Sequence, residues 1–172
     1  MEREIINRVA GSALVTLDLE SYYDRHERVV LDIKDWLYQE TILREKDFRN
    51  YIKEHDWSAY SNKNVAITCS VDAIIPTWAF MLVAISLQPH ANMVVYGDLQ
   101  DLENALFQQA LSTIDAKDYE GAKVVVKGCG NFPVPTFAYL EVVRLLTPVV
   151  SSIMYGEPCS TVPLYKKKII LK

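Results

Sequence analysis

Three cysteines are the residues of this sequence best suited to chemistry: Cys69, Cys129 and Cys159. Thiolates bind zinc and other soft metals, and four ligands close a tetrahedral site. Asp72 and Glu157 are each three or fewer residues from a cysteine, so they are candidate carboxylate ligands. The chain has no Cys-x-x-Cys pair, which makes the spacing a weak signal. The residue types nevertheless predict a site for zinc or an iron–sulphur cluster.

Two alternatives to metal binding stay open for these cysteines. Cys129 or Cys159 could act as a single reactive thiol near a helix N-terminus. Alternatively, all three could pack as small apolar side chains at strand ends. Three cysteines in a chain of 172 residues do not describe a disulfide framework, so we expect reduced thiols.

A second candidate site would bind an anion. Thr77 and Thr136 stand at the starts of two predicted helices, where free backbone N–H groups attract negative charge. Gly128 and Gly130 would let the backbone approach an anion closely. The glycine spacing matches neither a P-loop nor a dinucleotide fingerprint. A tight strand-to-helix turn is the simpler interpretation of the same glycines.

The sequence contains an internal repeat with an offset of 59 residues. Residues 76–80 read Pro-Thr-Trp-Ala-Phe, and residues 135–139 read Pro-Thr-Phe-Ala-Tyr. The similarity extends over residues 69–98 and 129–157, with apolar positions in step. We therefore expect two βαβ units related by pseudo-symmetry.

Hydrophobic patterns predict strands that alternate with helices, which indicates a layered α/β fold with a mostly parallel sheet. Strands are predicted at 13–17, 28–33, 64–69, 92–96, 123–127 and 149–155, with a further edge strand at 169–171. Helices are predicted at 34–54, at 76–87, after Asp98 and at 135–146.

The chain is expected to form a single domain, 1–172. The first two strands should pair as a hairpin and, with the first helix, form an N-terminal cap over residues 1–60. Residues 61–172 should form the α/β core. Ligands bind beyond the carboxyl ends of parallel strands, and each cysteine ends or follows a predicted strand. The three thiols should therefore meet at one edge of the sheet.

Composition excludes several classes of function. A net charge of −4 argues against general nucleic-acid binding. The sequence contains no run of 18 apolar residues, so no membrane span is predicted. The N-terminus lacks the features of a signal peptide. The expected compartment is therefore the cytoplasm. The basic run at 166–168 is typical of a solvated tail, with a phosphate or acidic-partner contact as the alternative. A homodimer is the default expectation for assembly.

Four segments together resemble a bacterial family known as domain of unknown function 2480: residues 4–9, 32–37, 76–79 and 156–166. The last segment, Gly-Glu-Pro-Cys-Ser-Thr-Val-Pro-Leu-Tyr-Lys, is the most specific. Genes of this family often lie among those of the SUF-type iron–sulphur assembly system. The resemblance implies a supporting role in cluster assembly or in thiol and metal handling, with iron–sulphur assembly proteins as partners. A cysteine-dependent enzyme and a partner-binding module with inert cysteines are the alternatives.

Overall fold

The computed structural model describes residues 14–168, which form seven β-strands and four α-helices. The strands are β1 (Leu14–Asp18), β2 (Arg28–Asp32), β3 (Asn64–Thr68), β4 (Met93–Tyr96), β5 (Lys123–Lys127), β6 (Ser152–Glu157) and β7 (Ser160–Lys166). The helices are α1 (Glu45–Glu54), α2 (Thr77–Leu87), α3 (Leu99–Leu111) and α4 (Thr136–Leu146). Parallel strands joined through helices confirm the predicted α/β fold class.

The chain divides into two compact units, and the boundary falls within α3. We call residues 24–106 the continuous unit. The other unit combines residues 14–23 with residues 107–168, and we call it the split unit. The expectation of a single domain stays a prediction.

The continuous unit is built on a three-stranded parallel sheet with the order β2-β3-β4. Residues of β3 alternate between two apolar layers, as the period of two in a strand requires. Val65 and Ile67 pack in one cluster with Phe48 of α1 and the buried side of α2. Ala66 packs in a second cluster with Leu102 and Leu106 of α3. Both faces of β3 are therefore buried by helices.

The split unit is built on a four-stranded sheet with the order β1-β5-β6-β7. The first three strands are parallel, and β7 returns antiparallel to β6. Val124 and Val126 of β5 pack with Phe107 of α3, Val142 of α4 and Ile153 of β6. This cluster is the core of the unit.

The two units repeat the same arrangement, and the repeat is larger than the sequence indicated. Strands β3 and β5 are offset by 59 residues, as are helices α2 and α4. Phe48 and Phe107 keep the same offset, and both are almost fully buried. Each unit also has one N-terminal strand beside its central strand, β2 on β3 and β1 on β5. The residue ranges of these two N-terminal strands are offset by 14 residues.

The predicted N-terminal hairpin is wrong, because β1 and β2 lie in different sheets. Each pairs in parallel with a strand far along the chain, in equivalent register. Local sequence could not show this pairing, although one signal was present. Residues 15–19 read Val-Thr-Leu-Asp-Leu and residues 29–33 read Val-Val-Leu-Asp-Ile, which indicates two equivalent strands. Residues 14–60 are therefore shared between the two units and do not form a separate cap.

Other segments differ from prediction more locally. The helix predicted over 34–54 is a 3-10 turn at Ile33–Trp36, then a reversal, then α1. Gln39 and Glu40 adopt positive φ angles in that reversal, which ends helical geometry. The strand that follows β6 at the sheet edge is β7; the edge strand predicted at 169–171 lies outside the described residues.

Candidate functional site

The carboxyl ends of β1, β5 and β6 bring charged side chains together in the split unit. The Lys127 ammonium Nζ lies 3.2 Å from Asp18 Oδ2 and 3.8 Å from Glu157 Oε1. The hydrogen bond with Asp18, together with the charge of both carboxylates, raises the pKa of Lys127. This ion-pair group marks the edge where ligands bind in parallel sheets.

Cys129 follows β5 at this edge and its side chain is exposed. Its Sγ lies 3.1 Å from Tyr155 Oη and 3.9 Å from Tyr139 Oη. The Tyr139 hydroxyl donates to the carbonyl oxygen of Gly128 at 2.9 Å. One thiol therefore has two phenol hydroxyls around it, one from α4 and one from β6.

The tyrosines remain protonated in this arrangement. Burial, followed by the hydrogen bond with Cys129, raises the pKa of Tyr139 well above its ordinary range. The hydrogen bond with Cys129 also raises the pKa of Tyr155. A protonated phenol can donate a charge-assisted hydrogen bond to a thiolate. The Tyr139 proton goes to the Gly128 carbonyl oxygen, so Tyr155 is the phenol that can donate to the Cys129 sulfur.

A cavity of about 320 Å³ adjoins these hydroxyl groups. Its lining residues come from β5, β6, β7 and α4: Val126, Thr136, Tyr139, Val143, Tyr155 and Leu164. The volume is at the lower end of the range for small-molecule sites. The two tyrosines that contact the Cys129 sulfur therefore also line this mostly apolar cavity.

The loop after Cys129 binds the carboxylate of Glu20 through three successive backbone N–H groups. Gly130 donates to Oε1, while Asn131 and Phe132 donate to Oε2 at 2.7 and 3.2 Å. Asp18 holds the turn that carries Glu20 by accepting its backbone N–H at 3.1 Å. Successive N–H groups that converge on an anion form a nest. This loop therefore has its shape fixed by a charge within the same unit.

The equivalent edge of the continuous unit has different side chains. With the offset of 59, Ser70 stands where Cys129 does, and Phe80 replaces Tyr139. With the offset of 14, Lys34 stands where Glu20 does. Cys69 is aligned with Gly128, and its Sγ lies 3.8 Å from the carbonyl oxygen of Val71. These replacements remove the combination of a thiol, two phenol hydroxyls and a bound carboxylate from the continuous unit.

The five residues predicted as metal ligands divide between the units. Cys69 and Asp72 belong to the continuous unit; Cys129, Glu157 and Cys159 belong to the split unit. All three thiols are free. Within the described range, no group of three or more His, Cys, Asp or Glu side chains is arranged to hold a metal ion. The site formed by all three thiols stays a prediction.

The residues predicted to bind an anion are placed as follows. Thr77 and Thr136 are the first residues of α2 and α4, whose N-caps are prolines without a side-chain cap bond. Of these four residues, Gly130 donates its backbone N–H to an anionic group, the carboxylate of Glu20. A Cβ on Gly128 would lie 2.8 Å from Tyr139 Oη, so this glycine makes room for the tyrosine. A ligand anion at this loop stays a prediction.

The last strand predicted from the sequence ends at Tyr155, but the roles of Tyr139 and Glu20 were missed. One signal for Tyr139 was available, because the matched pentapeptides differ by a hydroxyl at this position, Phe80 against Tyr139. No local signal pointed to Glu20, whose partners lie about 110 residues further along the chain.

The fold and the site are those of an α/β protein in which a parallel-sheet unit is repeated and one sheet has Cys129 at its carboxyl edge. Residues 3–167 match the family model described as protein of unknown function, DUF2480. The chain belongs to this family. No curated protein and no solved structure matches it. Among the helices of residues 14–168, none has the length and apolar character needed to cross a membrane.

Proposed function

We propose that this protein performs thiol chemistry through Cys129, as an accessory factor that acts on a sulfur-containing partner or small molecule. The observation that carries the proposal is the 3.1 Å contact between Cys129 Sγ and Tyr155 Oη. A thiolate is the nucleophilic form of cysteine, and hydroxyl donors stabilise it. The proposal requires a reduced thiol, which accords with the expected cytoplasmic location.

The reaction class is thiol–disulfide exchange. The Cys129 thiolate attacks one sulfur of a partner's disulfide, a new sulfur–sulfur bond forms, and the old bond breaks as the other sulfur leaves as a thiolate. Tyr155 donates to the attacking sulfur before the reaction. The exposed position of Cys129 gives a partner access to it.

Alkylation rates test the role of Cys129. Iodoacetamide labelling at pH 7, resolved by peptide mass spectrometry, should modify Cys129 several-fold faster than Cys159, which is also exposed. Cys159 is the matched reference, since both thiols are open to solvent. Half-buried Cys69 should react most slowly.

A pair of equivalent tyrosine variants sharpens the test. Tyr155→Phe should remove the rate advantage of Cys129, because the hydroxyl donor is lost. Tyr96→Phe changes the equivalent tyrosine of the continuous unit and should leave the rate unchanged. Equal labelling of Cys129 and Cys159 in the wild type would overturn the proposal.

A metal-linked role is the second candidate. Cys129 and Cys159 are exposed, and they follow the neighbouring strands β5 and β6, with Glu157 at the end of β6. These three residues of the split unit are the proposed ligands of zinc or an iron–sulphur cluster that the protein holds or passes to iron–sulphur assembly proteins. Thiolates are the preferred ligands of such metals.

Metal analysis separates the two candidates. Protein purified under reducing conditions should contain bound zinc or iron, and a Cys159→Ser variant should contain less. A metal-free protein with fast Cys129 labelling would favour thiol chemistry alone. A pull-down with iron–sulphur assembly proteins, repeated with a triple Cys→Ser variant, would show whether partner binding needs the thiols.

A further inference from the structure

We propose that the split unit binds a single-chain anionic amphiphile, an acyl chain with a carboxylate or phosphate head, in a cavity at the amino edge of its sheet. This edge is opposite to the one that carries Cys129, so the inference is independent of the thiol chemistry. The cavity has a volume of about 770 Å³, within the range for ligands of drug size.

The cavity has apolar walls from three strands. Leu14 begins β1, while Met154 of β6 and Pro163 of β7 are paired across the sheet. Tyr165 contributes from the same strand as Pro163. Ser151 and Ser152 add small polar groups near the strand ends. A mostly apolar surface of this size favours a hydrocarbon chain, because apolar burial is the main driving force for such ligands.

Four lysines complete the lining: Lys123, Lys166, Lys167 and Lys168. The side chains of the basic run at 166–168 are exposed, as predicted, but the backbone of its first two residues is held by the sheet. Lys166 ends β7 opposite Ser152, and the Lys167 N–H donates to Ser151 O at 2.9 Å. The backbone therefore holds the basic run at the mouth of the cavity.

Within residues 14–168, none of these four lysines forms an ion pair. Lys127 of the same sheet differs, because it lies between Asp18 and Glu157. Among the described residues, these four lysines thus have no carboxylate partner, in a chain whose net charge is −4. Apolar walls with a cationic rim match an anionic head on an apolar chain.

Isothermal titration calorimetry on the full chain tests both parts of the ligand. Hexadecanoate, used below its micelle concentration, should bind at least ten-fold more tightly than octanoate, because octanoate has less apolar surface. It should also bind at least ten-fold more tightly than hexadecanol, because hexadecanol has no charge. Inorganic phosphate alone should not bind measurably. Hexadecyl phosphate compared with hexadecanoate identifies the preferred head.

Lysine variants test the charge. Lys166→Gln/Lys167→Gln/Lys168→Gln should weaken hexadecanoate binding about ten-fold and leave hexadecanol binding unchanged. The matched control, Lys46→Gln/Lys53→Gln/Lys117→Gln, removes three exposed lysines elsewhere and should bind as the wild type does.

A cavity-filling variant tests the location. Met154→Trp should abolish binding, whereas Met81→Trp on the exposed side of α2 should not. Circular dichroism shows whether each variant is folded, and the lysine variants keep the test valid if Met154→Trp is not. Failure of the wild type to bind hexadecanoate or hexadecyl phosphate, or equal binding by the two triple lysine variants, would overturn the proposal.

Discussion

Phe48 of the continuous unit and Phe107 of the split unit occupy equivalent positions, and each packs against the central strand of its own sheet. The buried residues of α2 and α4 also correspond, because Ala79, Val83 and Leu87 match Ala138, Val142 and Leu146. The cores of the two units therefore use nearly the same side chains at the same places.

The carboxyl edges of the two sheets differ. The split unit has Cys129 beside Tyr139 and Tyr155, whereas the continuous unit has Ser70, Phe80 and Tyr96 at the equivalent positions. The aromatic pair is kept in both, with ring centroids 5.7 Å apart in the split unit and 4.9 Å in the continuous unit. The comparison shows that one arrangement of strands and helices supports two different edges. Of the two, the split unit's edge is the one with an exposed thiol between hydroxyls.

The largest effect is expected from the matched core variants Phe48→Ala and Phe107→Ala. Each removes a fully buried ring and should lower the free energy of unfolding by about 3–5 kcal/mol. Urea unfolding followed by circular dichroism measures both. Leu140→Ala, on the exposed side of α4, is the control and should change stability by about 0.5 kcal/mol or less. A loss below about 1 kcal/mol for either Phe variant would contradict the equivalence of the two cores.

A smaller loss of stability is expected from Gly128→Ala. The new Cβ would lie 2.8 Å from Tyr139 Oη and 3.2 Å from Leu19 Cβ, so the hydroxyl must leave the Gly128 carbonyl. We expect a loss of about 1–3 kcal/mol in the free energy of unfolding.

The equivalent residue, Cys69, already has a side chain, and Cys69→Ala should cost about 1 kcal/mol or less. A double-mutant cycle with Tyr139→Phe should recover part of the Gly128→Ala loss, because the clashing hydroxyl is gone. Full additivity of the two variants would show that the hydroxyl contact is not the cause.

The third prediction concerns a network found in the continuous unit, where Asp24 accepts hydrogen bonds from His26 N at 2.9 Å and from Asn64 Nδ2 at 2.7 Å. Burial raises the pKa of Asp24, but these hydrogen bonds outweigh it and the net pKa is lowered. A lowered folded pKa stabilises the fold above the unfolded value of about 3.9, and this stability is lost as the pH falls through the folded pKa.

Asp24→Asn should therefore lower the free energy of unfolding by about 1–2 kcal/mol at pH 7 and by less at about pH 2.5. Unfolding by urea at the two pH values measures the difference. Lys123, the split-unit counterpart of Asn64, is exposed, so Lys123→Gln should show no comparable pH dependence. An equal cost of Asp24→Asn at both pH values would show that folding does not lower the pKa of Asp24.

The smallest effect is expected from the matched pair Glu20→Ala and Lys34→Ala. In Glu20→Ala, three backbone N–H groups of the loop lose the carboxylate that accepts their hydrogen bonds and must bind water instead. This change should lower the free energy of unfolding by about 1 kcal/mol. The Lys34 ammonium makes a long 3.9 Å contact with Asp32, so its removal should change stability by about 0.5 kcal/mol or less. Hydrogen exchange at Gly130 and Asn131 should also quicken in Glu20→Ala alone. Unchanged exchange there would exclude the carboxylate as the group that holds the loop.

Much of the fold could be predicted from sequence because apolar periodicity is a local property. The strand prediction at 123–127 agrees with β5, and the helix predicted at 76–87 agrees with α2 to one residue. The prediction failed where pairing was assumed from proximity in the chain, as for β1 and β2. It also failed over 37–44, where no local pattern marked the reversal at Gln39 and Glu40.

By itself, the sequence determined the segments, the repeat of 59 residues and the expectation that Cys129 follows a strand. Only the tertiary structure decided which strand lies beside which, and hence that Glu20, Tyr139 and Tyr155 surround the loop of Cys129. The reason is physical: hydrophobic period depends on neighbouring residues, whereas the partners of a parallel strand are chosen by contacts between distant parts of the chain.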